Sequence, residues 1–141
     1  MNAVRGGNHE VHAWSLTGAT VTQLVADPAA FRLCCVDADA CLEVVIEAPF
    51  TYRGVGAATT TLDPAYAPGL APVLALIGKS VTTLEVCAGG ELKITFSDGS
   101  RITVARRQDF ESWNVGGRGS LSAIAYLCTP HPGPPWIQRV S

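Results

Sequence analysis

The sequence predicts a mainly β protein: two repeated three-stranded antiparallel meanders that form a sandwich or partly open barrel, with one short connecting helix. Three observations carry that prediction. Residues 84–104 alternate apolar and polar side chains at the period of a half-buried strand, in short runs separated by turns that contain Gly. Residues 16–46 carry a diverged copy of the same pattern. The chain, at 141 residues, 48% hydrophobic and 16% charged, is long enough for one domain with a proper core and too short for two ordinary ones.

The registers of the later meander follow from parity. A two-residue Asp98-Gly99 loop would set Phe96 opposite Arg101, apolar against charged on one face. A three-residue loop pairs Phe96 with Ser100, Ile94 with Ile102 and Leu92 with Val104, and one face becomes apolar throughout; Gly99 takes the left-handed position. By the same test Ala88-Gly89-Gly90 pairs Val86 with Leu92 and Leu84 with Ile94, with Gly90 left-handed and Glu85 beside Lys93 on the wet side.

In the earlier copy, Leu16, Gly18, Val21, Thr22 and Leu24 recur as Leu76, Gly78, Val81, Thr82 and Leu84. FRLCCVDADACLEVVI then matches LKITFSDGSRITV with one residue added near the turn. With residues 37–40 as the loop, Cys35 pairs with Leu42, Leu33 with Val44 and Phe31 with Ile46, and Asp27-Pro28-Ala29-Ala30 forms the preceding turn. A doubled unit requires Leu33 and Ile94 to occupy similar settings. The second face of this copy holds Val21, Val25, Cys34, Val36, Cys41 and Val45 among Arg32, Glu43 and Glu47. That is too apolar for a face turned fully to water, so Val21, Val25, Val36 and Val45 form a candidate interface, covered by the linker helix, the C-terminal segment or a second copy in a homodimer.

The remaining chain reads as follows. Residues 1–13 form a flexible N-terminus, and residues 14–141 a single β domain whose two units span about 14–53 and 74–113. Residues 50–53 continue as a strand or an edge, and residues 54–61 as a loop. Residues 70–77 form a short helix with Pro72 in its first turn, Gly78 as its stop, and Leu70, Val73, Leu74 and Ile77 as its packing stripe. Residues 116–120 read as a glycine-rich hairpin loop, residues 121–128 as a last strand, and residues 129–136 as an extended Pro-rich tail that seats Trp136 on the domain or offers it to a partner.

Several chemistries find little support. His9-Glu10-Val11-His12 spaces its histidines three apart rather than the four that a helical metal signature needs. Gly116-Gly117-Arg118-Gly119 matches neither the P-loop nor the dinucleotide fingerprint, and the chain is not βαβ. Five cysteines without a CxxC motif read as small core hydrophobes in a reducing compartment. Asp37/Asp39 and Asp109/Glu111 read as turn and strand-edge residues, and Cys128 with His131 is too bare a pair to define a nucleophile and base. No catalytic residue, cofactor or metal is expected. A net charge of −2 gives no case for nucleic acid, no apolar run reaches membrane length, and the N-terminus lacks an apolar signal core, so the expected location is cytoplasmic.

The run LAPVLALIGKSVT from Leu70, then Phe96-Ser97-Asp98-Gly99-Ser100, then Phe110-Glu111-Ser112-Trp113, resembles a small actinobacterial family known as domain of unknown function 6188. A Pro/Gly-rich segment and a late Trp follow in that family, as at residues 130–136 here. The resemblance covers roughly residues 15–136, and this chain departs from it in its cysteine-rich first copy and its long run of prolines. It implies no activity, cofactor or catalytic residue. The expected function is a non-enzymatic binding or protein-interaction module, with a partner or inhibitor, or an immunity-type protein, as one version that rests on the genomic habit of small domains. The alternative is a small-molecule binder or modest enzyme with a pocket between the two units, near Trp113, Arg118 and Trp136.

Overall fold

In the computed structural model, which describes residues 2–6, 9–107, 111–128 and 137–139, the hairpins close at the registers that alternation predicts. In chain order the elements are β1 (Asn2–Gly6), β2 (His9–Asp27), β3 (Ala30–Val36), β4 (Ala40–Ile46), β5 (Phe50–Arg53), β6 (Thr60–Leu62), a 3-10 helix (Ala67–Leu76), β7 (Ser80–Cys87), β8 (Leu92–Phe96), β9 (Arg101–Val104), β10 (Trp113–Gly119), β11 (Ala125–Cys128) and β12 (Ile137–Arg139). Phe31–Ile46, Leu33–Val44 and Cys35–Leu42 pair across β3–β4. Leu84–Ile94 and Val86–Leu92 pair across β7–β8, and Ile94–Ile102 and Leu92–Val104 across β8–β9. Gly90 and Gly99 hold φ near +90° at their turns. Asp98 braces the second turn by accepting from the Ser100 amide at 2.9 Å and from its hydroxyl.

Among the described residues all strand pairs are antiparallel and belong to one sheet, ordered β12-β11-β10-β4-β3-β2-β7-β8-β9-β5-β6, with β1 on β2. The sheet does not close into a barrel; β12 and β6 stand at its two ends. It folds over so that its wings face each other. Phe31 of β3 stacks on Phe50 of β5 at 5.7 Å, and Tyr126 of β11 meets Trp14 of β2 at 5.5 Å. Between the wings lies one hydrophobic core to which both meanders contribute, with Leu33 and Ile94 each fully buried.

The strand order reads alike from its centre outwards. β2, β3 and β4 on one side correspond to β7, β8 and β9 on the other. The strand after each meander crosses to the other one: β5 pairs with β9, and β10 pairs with β4. At the centre β2 and β7 pair with each other, and Thr20 lies opposite Ser80. Residues sixty apart match closely there. Gly18 and Gly78 both hold φ +90°. The ladders slip by one residue at Val21/Gln23 and at Val81/Thr83. The hydroxyls of Thr22 and Thr82 each donate to a carbonyl of the neighbouring strand, those of Cys34 and Thr95.

Three expectations are corrected. The slip at Val21/Gln23 is a β-bulge, which adds a residue and reverses the alternation beyond it. Val21, expected on the outer face, is therefore 1% exposed in the core. The helix runs over Ala67–Leu76, with Pro72 inside it, and winds with three residues per turn rather than 3.6. Its buried side chains are accordingly Leu70, Val73 and Leu76. Leu74 and Ile77, expected in the stripe, are 58% and 50% exposed. Residues 2–6 and 9–13 supply β1 and the start of β2, which extends past the meander and gives β1 an edge to pair with. The glycine-rich stretch expected as a loop lies mostly in β10.

Candidate functional site

The outer face of β4 and its neighbours carries an open trough of about 530 Å³ over β3, β4, β10 and β11. Strand pairing sets its rows. Leu127, Asn114, Val45 and Arg32 form one row; Ala125, Gly116, Glu43 and Cys34 form the next; Arg118, Cys41 and Val36 form the third. Alternation in β3 and β4 points these side chains outward, because their neighbours Leu33, Cys35, Leu42 and Val44 fill the core. Gly116 has no atom within 4 Å of where a β-carbon would stand, so its missing side chain deepens the trough between Glu43 and Ala125.

The other two glycines of the run have a different cause. A β-carbon on Gly117 would strike the Leu121 carbonyl, and one on Gly119 the Asp39 carbonyl. The turn after β10 folds back tightly here: the Gly117 amide donates to the Ile124 carbonyl at 2.7 Å, and the Ser120 hydroxyl meets Asp39 at 3.2 Å. These glycines serve backbone approach rather than phosphate binding.

The trough is mostly apolar with a charged rim. Val36 is 48% exposed, while Cys34, Cys41 and Val45 are half-buried. Arg32 spans the face between Asp27 at 3.6 Å and Glu43 at 4.0 Å. All five cysteines are free. Burial, reinforced by the Glu43 carboxylate, pushes the Cys34 thiol up. Burial also raises Cys87 and Cys128, and pushes Cys35 up to about 12. At neutral pH these four are thiols, the poorly nucleophilic form. Among the described residues no three His, Cys, Asp or Glu side chains group as a metal site. No helix there is long and apolar enough to cross a membrane.

Of the candidate pocket of Trp113, Arg118 and Trp136 between the two meanders, the first two are not brought together. Trp113 and Arg118 lie five apart on β10 and so face opposite sides of the sheet. Trp113 is fully buried, its indole N–H donating to the Gly90 carbonyl at 2.8 Å, and Arg118 stands on the trough rim. Trp136 and His131 lie outside the described residues. Of the candidate interface, Val25, Val36 and Val45 take outward positions and Val21 does not. The linker helix packs against the core side, so it is not the cover expected for this face. Asn114, Gly116 and Leu127 were missed because β10 and β11 join this face only through long-range pairing with β4.

His12 stacks on Tyr126 at 5.5 Å, which gives it a packing role beside Trp14. Asp37 and Asp39 serve turns: Asp37 accepts from the Ala38 amide, and Asp39 from Ser120.

Fold and site together define a mainly β protein on an open, folded-over antiparallel sheet, with a mostly apolar trough on one outer face and no activated nucleophile among the thiols raised by burial. A model for a family of unknown function (DUF6188) matches residues 31–132, and the chain belongs to that family. No curated protein and no solved structure matches the chain.

Proposed function

We propose that the protein is a binding module that engages a protein partner through the outer face of β3, β4 and β10. The observation that carries this reading is the trough itself: an outward face on which Val36, Val45, Cys34 and Cys41 lie together, partly open to water. The partner is a different protein, as for an inhibitor or immunity-type protein, or a second copy in a homodimer. We infer also that the chain is an internal repeat, a reading supported by the matched glycines, bulges and threonine hydroxyls sixty residues apart. Its free cysteines suit a reducing compartment and so a cytoplasmic location.

The test is co-purification from the native host, with mass spectrometry and a solution mass, for the wild type and for Val36→Glu and Val45→Glu. One stoichiometric protein, or a doubled mass, lost in both variants supports the reading. A small-molecule binder is the second reading, favoured by the polar rim of Glu43, Asn114 and Arg118. A metabolite retained by the wild type would replace the first reading with the second.

A further inference from the structure

The correspondence between the two meanders breaks at the outer edge of the first one. Leu84 and Val86 of β7 lie beside Trp14 and His12 of β2, and both are fully buried. Their counterparts sixty residues earlier are Leu24 and Ala26. The Pro28-Ala29 turn closes on the pair Asp27–Ala30, which in a two-residue hairpin exchanges both backbone hydrogen bonds, as do Val25–Arg32 by alternation. Leu24 and Ala26 therefore turn their N–H and C=O groups away from β3. Among the described residues no strand meets them there. Leu24 is only half-buried and Ala26 is exposed.

The segment that corresponds to Trp14 and His12 by sequence spacing is Leu74 and Pro72. It is folded into the 3-10 helix, where Pro72 has no amide to offer and Leu74 is 58% exposed. An apolar groove of about 210 Å³ remains between β2 and the helix, lined by Leu24, Ala26, Phe31, Leu70 and Leu74 among others.

From this we propose that the free edge of β2 at Leu24 and Ala26 accepts an extended segment of a partner protein as an added strand, with a large apolar side chain seated in the groove beside the helix. The occupant's chemistry is read from the other half of the molecule. There the same slot holds an extended strand whose Trp14 is buried against Leu84. Backbone hydrogen bonds supply affinity and the alternate side chain supplies selectivity. This edge is separate from the outer trough, and each stands or falls alone.

The probe is a fluorescein-labelled peptide of residues 9–16, HEVHAWSL, titrated into the full chain by anisotropy, with amide hydrogen exchange of the same samples. The expected result is saturable binding, with the Leu24 and Ala26 amides gaining protection. Replacing the peptide's Trp14 with Ser weakens binding, and so do two protein variants, Ala26→Pro and Leu74→Glu, each by roughly tenfold or more. Ala26→Pro removes only an outward-facing amide, as edge strands tolerate. Leu74→Glu lies on an exposed position, so it reports even if the proline variant does not fold. Absence of saturable binding overturns the proposal. So does binding indifferent to Leu74→Glu and to the peptide's Trp, or a solution dimer that Leu74→Glu or Ala26→Pro converts to monomer, since a second copy would then own the edge.

Discussion

The two meanders share backbone detail yet present opposite outer faces. On the β7–β9 side, outward positions carry Glu85, Lys93, Thr95, Arg101 and Thr103, and a small polar cavity among Thr51, Arg53, Thr59, Arg101 and Thr103. On the β2–β4 side the same positions carry Cys34, Val36, Cys41 and Val45 beside Arg32 and Glu43. The core-facing residues are apolar in both, because both faces close on one interior. Packing therefore constrains one side of each strand and leaves the other free to differ. The difference between the outer faces is where function is to be sought.

That comparison can be broken or sharpened by substitution. The largest effects belong to the crossing strands. Trp113→Ala and Phe50→Ala remove the first residue of β10 and of β5, each buried where its strand reaches the opposite meander. Each should cost about 3–5 kcal/mol in urea unfolding, with Trp113 the costlier because the Gly90 carbonyl also loses its donor. Equal costs would show that this hydrogen bond contributes nothing.

Next come the paired glycines. Gly18→Ala and Gly78→Ala each force a side chain into the left-handed region, costing about 1–2 kcal/mol. Gly78 has open space, whereas a β-carbon at Gly18 stands 3.2 Å from the Asp37 carboxylate, so Gly18→Ala should melt lower. A smaller pair follows at the bulges. Thr22→Val and Thr82→Val each lose one hydroxyl bond, about 0.5–1.5 kcal/mol, with Thr82, at 3.1 Å against 3.4 Å, the larger.

The smallest effect is a pH dependence confined to the later meander. The Ser100 hydroxyl bond holds the Asp98 carboxyl below its usual range. The contribution is therefore fully present above the ordinary aspartate pKa and lost as pH falls through the lowered folded-state value. Thermal melts at pH values below the ordinary aspartate pKa should show this loss in the wild type and less of it in Asp98→Asn. An unchanged acid slope would remove Asp98 from the account.

Much of this was legible in the sequence. The Cys35–Leu42 and Ile94–Ile102 registers were readable because a one-residue slip would turn every apolar side chain outward, so local alternation alone selects them. The left-handed glycines at positions 90 and 99 follow from the same loop lengths. The outward set of Val25, Cys34, Val36, Cys41 and Val45 was readable for the same reason, and with it half of the trough.

What tertiary structure decided depends on partners far along the chain. Nothing local says that β5 pairs with β9 and β10 with β4, since each short strand is compatible with either neighbour. Trp113 and Arg118 could not be assigned to opposite faces until β10 was known to be a strand, and Gly117 and Gly119 show their reason only against the carbonyls of Leu121 and Asp39. The bulge that turns Val21 inward adds a residue without altering composition. The 3-10 winding of residues 67–76 trades Leu74 and Ile77 for Leu76 because a period of three sets positions 70, 73 and 76 on one side. Alternation fixes which side of a strand is dry; which strands meet across that dryness is a long-range choice, made by the fit of one shared core.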